Sequence, residues 1–216
     1  MHIDIWSDVV CPWCYLGKRR LERALEAFEH RSEVTIAHRS FQLDPSRPRH
    51  ETTSRRRMLM AKYRLSEDQV KAMDQRMEQT AAADGLSYHL TDAGQTGNTL
   101  DAHRLLHFAK AQGREDAMLD RLYRAYFSEQ QSVFDTASLA TLAVDAGLDA
   151  DEARQVLESD VYAQEVAADL HEARMLGVSG VPFFVIDGRY AVSGAQAVEV
   201  FTQALAHAWA NRTTAS

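Results

Sequence analysis

The sequence predicts an α/β protein in which a βαβ segment and a ββα segment enclose a long helical block. The first part of the chain has a strand, helix and strand pattern, and the last part has a hairpin signal followed by an amphipathic helix. Between Pro45 and Asp160 no strand pattern is evident. At 216 residues with 45% hydrophobic residues, the chain can form a sizeable core. We therefore predict one domain from residues 1–43 and 160–216, and an inserted all-α domain over residues 44–159.

The N-terminal segment predicts a βαβ unit. Residues His2 to Ser7 alternate in the manner of a half-buried strand, and Val34 to Ala37 form a second apolar strand. Between them a helix is predicted from Pro12 to about Glu29, because apolar residues recur there at helical spacing: Leu16, Leu21, Leu25 and Phe28. Open α/β sheets place their active sites at the carboxyl ends of such strands, so residues that follow Ser7 are candidates for chemistry.

The inserted block begins where Pro45, Pro48 and a polar tract interrupt the pattern. Ser66 to Gln69 resembles a capping box and predicts a helix to about Asp84, with Gly85 after it. The run Arg55-Arg56-Arg57 is interpreted as a solvated helix face. Further helices are predicted over residues 98–112, 114–129 and 135–146, and from about residue 149.

The C-terminal segment predicts a ββα unit after a connecting helix. That helix runs from about Asp160 to Leu176, and the apolar stretch Val181–Ile186 predicts a strand. Asp187-Gly188 is a typical two-residue hairpin turn, so residues 189–192 should pair back antiparallel. A last amphipathic helix follows Gly194 and extends to about residue 211.

The chain contains two cysteines, and they stand together in Cys11-Pro12-Trp13-Cys14. A helix that begins near Pro12 places Cys11 at its N-terminal edge, where unpaired N–H groups and the helix dipole stabilise a thiolate. Cys14 falls on the same side of the first turn, within the separation that a disulfide tolerates. The pair can therefore open and close.

Other interpretations of the two cysteines are weaker. A structural disulfide that closes so small a ring would stabilise the fold little. A structural zinc site usually needs four ligands, and there is no second cysteine pair. His103 and His107 are four residues apart, but no third ligand has recognisable spacing. We therefore predict no metal site.

Charge and hydropathy limit the partners and the location. Twenty-four Lys and Arg against 31 Asp and Glu give a net charge of −7, which disfavours nucleic acid as a partner. No apolar run approaches a membrane span, and the start lacks the pattern of a signal peptide, so we expect a cytoplasmic protein without a membrane partner. The sequence leaves the oligomeric state open.

Five blocks of the sequence, in the same order, are similar to FrnE-like oxidoreductases, within the DsbA-like branch of the thioredoxin fold. They are Ser7-Asp8-Val9-Val10-Cys11-Pro12-Trp13-Cys14-Tyr15-Leu16-Gly17, Phe41-Gln42-Leu43-Asp44-Pro45, Asn98-Thr99-Leu100-Asp101-Ala102-His103-Arg104, Gly177-Val178-Ser179-Gly180-Val181-Pro182 and Val192-Ser193-Gly194-Ala195-Gln196. The resemblance implies a thioredoxin fold with a large helical insertion. It also implies a protein disulfide oxidoreductase.

The resemblance assigns roles to individual residues. It implies that Cys11 is the nucleophilic thiol, Cys14 the resolving thiol and Pro182 a cis-proline, although an X–Pro bond alone would be expected in the trans form. The Val181 backbone would then face an extended substrate, with Pro12 and Trp13 in the active-site loop. The substrates implied are protein or small-molecule disulfides and thiols. No bound cofactor is implied, and glutathione is a candidate co-substrate.

The residues between the cysteines bear on the direction of exchange. DsbA-like proteins with very acidic thiols carry His next to the resolving cysteine, whereas this chain has Trp13. Weaker stabilisation of the reduced form predicts a potential more reducing than about −120 mV. We therefore expect the reductase or isomerase direction.

The chain also departs from the thioredoxin pattern. A buried acid often lies six residues before the first cysteine, and that position here is Ile5. Asp8 is then the candidate proton relay for Cys14, although a polar residue after a strand is commonly structural.

Two alternatives stay open. One is a glutathione-dependent isomerase or transferase related to hydroxychromene-carboxylate isomerase and the kappa class, which generally place Ser where Cys11 stands. The presence of two cysteines argues against it. The other is a non-catalytic binding module.

Overall fold

The computed structural model describes residues 1–90 and 94–212. Its strands are β1 (His2–Ser7), β2 (Thr35–Ser40), β3 (Thr52–Ser54), β4 (Gln95–Gly97), β5 (Phe183–Ile186) and β6 (Tyr190–Ser193). Its helices are α1 (Pro12–Glu26), α2 (Arg55–Tyr63), α3 (Glu67–Ala83), α4 (Leu100–Ala111), α5 (Glu115–Phe127), α6 (Thr136–Asp145), α7 (Ala150–Leu157), α8 (Ala163–Met175) and α9 (Val198–Ala210). None of the helices in the described part of the chain combines the length and apolarity that a bilayer span demands.

The chain divides into two compact units. The first comprises Met1–Phe41 and Asp169–Ser216, and the second comprises Gln42–Ala168. The predicted boundaries, after residue 43 and before residue 160, lie two and nine residues away from these. The larger difference has a physical cause in Asp169, whose carboxylate accepts a hydrogen bond from Ser40 N (2.8 Å) and whose carbonyl accepts one from Trp6 Nε1 (3.2 Å). These bonds tie the C-terminal half of α8 to the sheet of the first unit.

The first unit is built on a four-stranded sheet in the order β2-β1-β5-β6. β1 and β2 are parallel, whereas β5 is antiparallel to both of its neighbours, as the βαβ and ββα patterns predict. Ile3 pairs in register with Ile36 on one side and with Ile186 on the other. The core lies between the sheet, α1 and α9, and its buried members include Ile3, Ile5, Leu21, Leu25, Phe184, Ile186, Phe201 and Leu205.

The second unit is mostly helical, as predicted, but it is not purely helical. β3 and β4 form a short antiparallel ribbon in which Thr53 pairs with Thr96. The predicted capping box at the start of α3 is present, since Ser66 Oγ accepts from Gln69 N (3.2 Å) and Gln69 Oε1 accepts from Ser66 N (2.8 Å).

The structure corrects the interpretation of the arginine run at the start of α2. Arg57 is exposed and Arg56 pairs with Glu67 at 2.9 Å, as a solvated face would require. Arg55, however, is buried and donates two hydrogen bonds to the buried carboxylate of Asp74, at 2.8 and 2.9 Å. This bidentate ion pair compensates the charge of Arg55 in the interior, although the sequence pattern had placed Arg55 at the surface.

Candidate active site

The end of β1 and the start of α1 place Cys11 in the first unit. β1 ends at Ser7, and a tight turn follows in which Cys11 N donates to Asp8 O (3.1 Å). Cys11 is the N-cap residue of α1 with extended backbone angles, and Pro12 opens the helix. No side chain of the described residues caps this helix end. The partial positive charge of the helix N-terminus is therefore available to a thiolate at Cys11.

Cys14 lies one turn further along α1 and is 1% exposed. Burial raises the pKa of the Cys14 thiol well above its ordinary value, and a hydrogen bond with the Cys11 side chain and the charge of Cys11 raise it further. A backbone hydrogen bond from Asp8 acts in the opposite direction. Both cysteines are buried, and no disulfide joins them in this structure. The two thiols are therefore in contact but chemically unequal, because Cys14 is held in its protonated state.

The loop before β5 brings Val181 to Cys11. Because β5 is antiparallel to β1, its first residue, Phe183, pairs with Trp6 near the end of β1. The residues before Phe183 thus lie beside the turn that carries Cys11. Cys11 Sγ donates to the carbonyl of Val181 at 3.5 Å, and the Val181–Pro182 peptide bond is cis. The structure thus places Cys11, Val181 and Pro182 together.

Asp8 is the ionisable residue that the structure places beside Cys14. It is 1% exposed, and its negative charge contributes to the raised pKa of Cys14. Ile5, at the position where related folds often carry an acid, is instead buried in the core in register with Phe184. The acid that acts on Cys14 therefore lies in the turn after β1 and not at the Ile5 position of the strand.

Pro12 and Trp13 lie at the start of α1. Pro12 is half-buried, and the Trp13 side chain is 47% exposed although it is large and apolar. An exposed indole next to a pair of thiols is available for contact with a bound molecule.

Gly17 was not predicted as a site residue, and it packs against the same loop. A Cβ atom added at Gly17 would lie 2.9 Å from Pro182 Cγ and 3.2 Å from Phe184 Cζ. A glycine inside a helix, with no turn to explain it, is the sequence signal that indicates such a close approach.

Comparisons with known proteins agree with this architecture. Residues 2–206 match the family model of the DSBA-like thioredoxin domain. The uncharacterized protein YwbO of Bacillus subtilis (strain 168) is 27% identical over 208 residues, which are 95% of this chain and 96% of that protein.

Two solved structures extend the comparison. A probable DsbA oxidoreductase from Streptomyces coelicolor is 52% identical, with a TM-score of 0.96 over 100% of this chain and 93% of that one. The cytosolic disulfide reductase DsbM from Pseudomonas aeruginosa shares the fold at 17% identity, with a TM-score of 0.69 over 98% of this chain and 100% of that one. The chain thus has the predicted fold, and it belongs to the DSBA-like thioredoxin domain family.

Proposed function

We propose that the protein is a thiol–disulfide oxidoreductase in which Cys11 is the nucleophile and Cys14 the resolving thiol. One observation carries this proposal: the only two cysteines of the chain are in contact at the N-terminus of α1, and burial keeps Cys14 protonated. An uncapped helix N-terminus favours the thiolate that attacks first, whereas a protonated partner does not compete with it. The similarity to a probable DsbA oxidoreductase at 52% identity supports the same chemistry.

The Cys11 thiolate attacks one sulfur of a substrate disulfide, forms a mixed disulfide and releases the other sulfur as a thiolate. Cys14 then loses its proton and attacks Cys11 Sγ, which forms the Cys11–Cys14 disulfide and releases the second substrate thiol. Two electrons pass from the protein dithiol to the substrate, and the reverse sequence oxidises a substrate dithiol.

Proton removal from Cys14 needs an acceptor, because the pKa of this thiol is raised. Asp8 is suited to this role, since it is buried beside Cys14. The Val181 carbonyl, with Pro182 after it, would align an extended substrate chain at Cys11 through backbone hydrogen bonds. Pro12 and the exposed Trp13 would contact the same substrate.

The direction that we propose is reduction or isomerisation. Trp13 brings no positive charge to the thiols, so the reduced form gains less stability than in a strong oxidant of this family. Such a protein would act on protein or small-molecule disulfides in a reducing compartment, with glutathione as a candidate co-substrate.

Reduction of insulin and of glutathione disulfide by the purified protein, with dithiothreitol as the reductant that regenerates the two thiols, tests the proposal. We expect turnover by the wild type, none by Cys11→Ser, and accumulation of a Cys11 mixed disulfide in Cys14→Ser. Full activity of Cys14→Ser would overturn the two-thiol scheme and favour an isomerase that uses one activated group.

A further inference from the structure

Two residues on one face of α1 hold the loop that faces Cys11. Gly17 and Arg20 are three residues apart, so they are neighbours on the helix surface. We propose that both are positioning residues for the exchange reaction, because they seat the Val181–Pro182 loop against α1. The proposal rests on the proposed function, and it identifies what fixes the geometry of that site.

Gly17 provides the close approach. The two atoms nearest to its missing Cβ, Pro182 Cγ at 2.9 Å and Phe184 Cζ at 3.2 Å, belong to a proline ring and to a fully buried aromatic ring. Neither can move aside as a flexible side chain would. Any side chain at position 17 therefore pushes α1 and the loop apart.

Arg20 is linked to the same loop indirectly, through the turn that follows β6. Its Nη1 donates to the carbonyl of Ala195 at 2.8 Å. The turn that contains Ala195 also holds Gly194, whose N–H donates to the carbonyl of Pro182 at 2.8 Å. A chain of two hydrogen bonds thus runs from α1 to Pro182.

The helix that carries these contacts also carries the thiol. Cys11 is the N-cap of α1, so a shift of the loop away from Gly17 changes the distance between Cys11 Sγ and the Val181 carbonyl, which is 3.5 Å. This contact needs an S–H group and is therefore lost when Cys11 enters a disulfide. It stabilises the protonated dithiol relative to the disulfide, and Gly17 and Arg20 set its strength.

The experiment compares two variants with matched controls. Gly17→Ala is paired with Gly94→Ala, at a position that lies outside the Val181–Pro182 loop and where an added Cβ would meet no atom of the described residues within 4 Å. Arg20→Gln is paired with Arg19→Gln, which removes the same charge from a residue that pairs with Glu22 at 3.0 Å. The readouts are the rate of glutathione disulfide reduction, the equilibrium between dithiol and disulfide in glutathione buffers, and thermal unfolding as a check of folding.

We expect Gly17→Ala to react about 10- to 100-fold more slowly, as misplacement of reacting groups by about 1 Å does in enzymes. Its equilibrium should shift about two- to tenfold towards the disulfide, the value of one lost hydrogen bond. Arg20→Gln should shift in the same direction by at least about twofold. Both controls should match the wild type.

The proposal is overturned if folded Gly17→Ala keeps the wild-type rate and equilibrium. If Gly17→Ala does not fold, Arg20→Gln decides, and a wild-type rate and equilibrium in that variant would overturn the proposal. Absence of catalytic turnover in the wild type would instead refute the proposed function; the dithiol–disulfide equilibrium, reached by prolonged incubation in glutathione buffers, would still test the positioning.

Discussion

The buried thiol of Cys14 should make the stability of the reduced protein fall as the pH rises. Burial raises the pKa of Cys14 in the folded state, whereas in the unfolded chain the thiol titrates near its free value of about 8.5. Above that pH the unfolded state loses a proton that the folded state keeps, so the free energy of unfolding decreases. The stabilisation is fully present below about pH 8.5 and is lost as the pH rises towards the folded pKa.

The magnitude follows from the linkage relation. With Cys14 still protonated in the folded state, moving from about pH 8.5 to 9.5 should remove about 1 kcal/mol, and the limiting slope is about 1.4 kcal/mol per pH unit. Urea unfolding of the protein, kept reduced throughout, measures this loss. The control is Cys14→Ala, because every other titrating group is common to both proteins.

The difference in the free energy of unfolding between wild type and Cys14→Ala should therefore change by about 1 kcal/mol between about pH 8.5 and 9.5. The oxidised protein, which has no thiol to titrate, should lack this component. Equal pH dependence in wild type, variant and oxidised protein would refute the burial of a protonated Cys14.

Three further outcomes are expected. Asp8→Asn should slow release of the mixed disulfide by about 100-fold or more, because it removes the proton acceptor, and should leave formation of the mixed disulfide unchanged. Rapid-quench trapping measures the two steps, and an unchanged release rate would exclude Asp8 as the base. Asp74→Ala should cost about 3–5 kcal/mol in urea unfolding, because it leaves the buried Arg55 unpaired, whereas Arg57→Ala at an exposed position should cost less than about 0.5 kcal/mol. Ser66→Ala should cost about 1 kcal/mol through loss of the capping box, and no change would show that α3 does not depend on it.

The strands and helices of the first unit could be predicted from the sequence because the patterns that indicate them span only a few neighbouring residues. β1 has the predicted bounds, since its alternation ends where the polar turn at Asp8 begins. The hairpin between β5 and β6 follows from Asp187-Gly188, whose residues both adopt positive φ angles, at 49° and 63°. The cysteine pair was found in the same way, because a helix start and a spacing of three are visible in a few residues.

What the sequence did not reveal depends on partners distant in the chain. The β3–β4 ribbon has strands of three residues, too short for a recognisable alternation, and each strand is defined by the other. Arg55 is buried because Asp74 lies opposite, which no local pattern indicates. The hydrogen bond of Asp169 to the sheet and the close approach of Gly17 to Pro182 likewise join residues that are distant in the chain.

The most direct test of the central claim is a redox titration of the Cys11–Cys14 pair in glutathione buffers, with the thiols counted by alkylation and mass. A redox-active pair should interconvert between two thiols and one disulfide in a single two-electron transition, at a potential more reducing than about −120 mV. Thiols that stay reduced under oxidising buffers, or a transition at or above about −120 mV, would contradict the account.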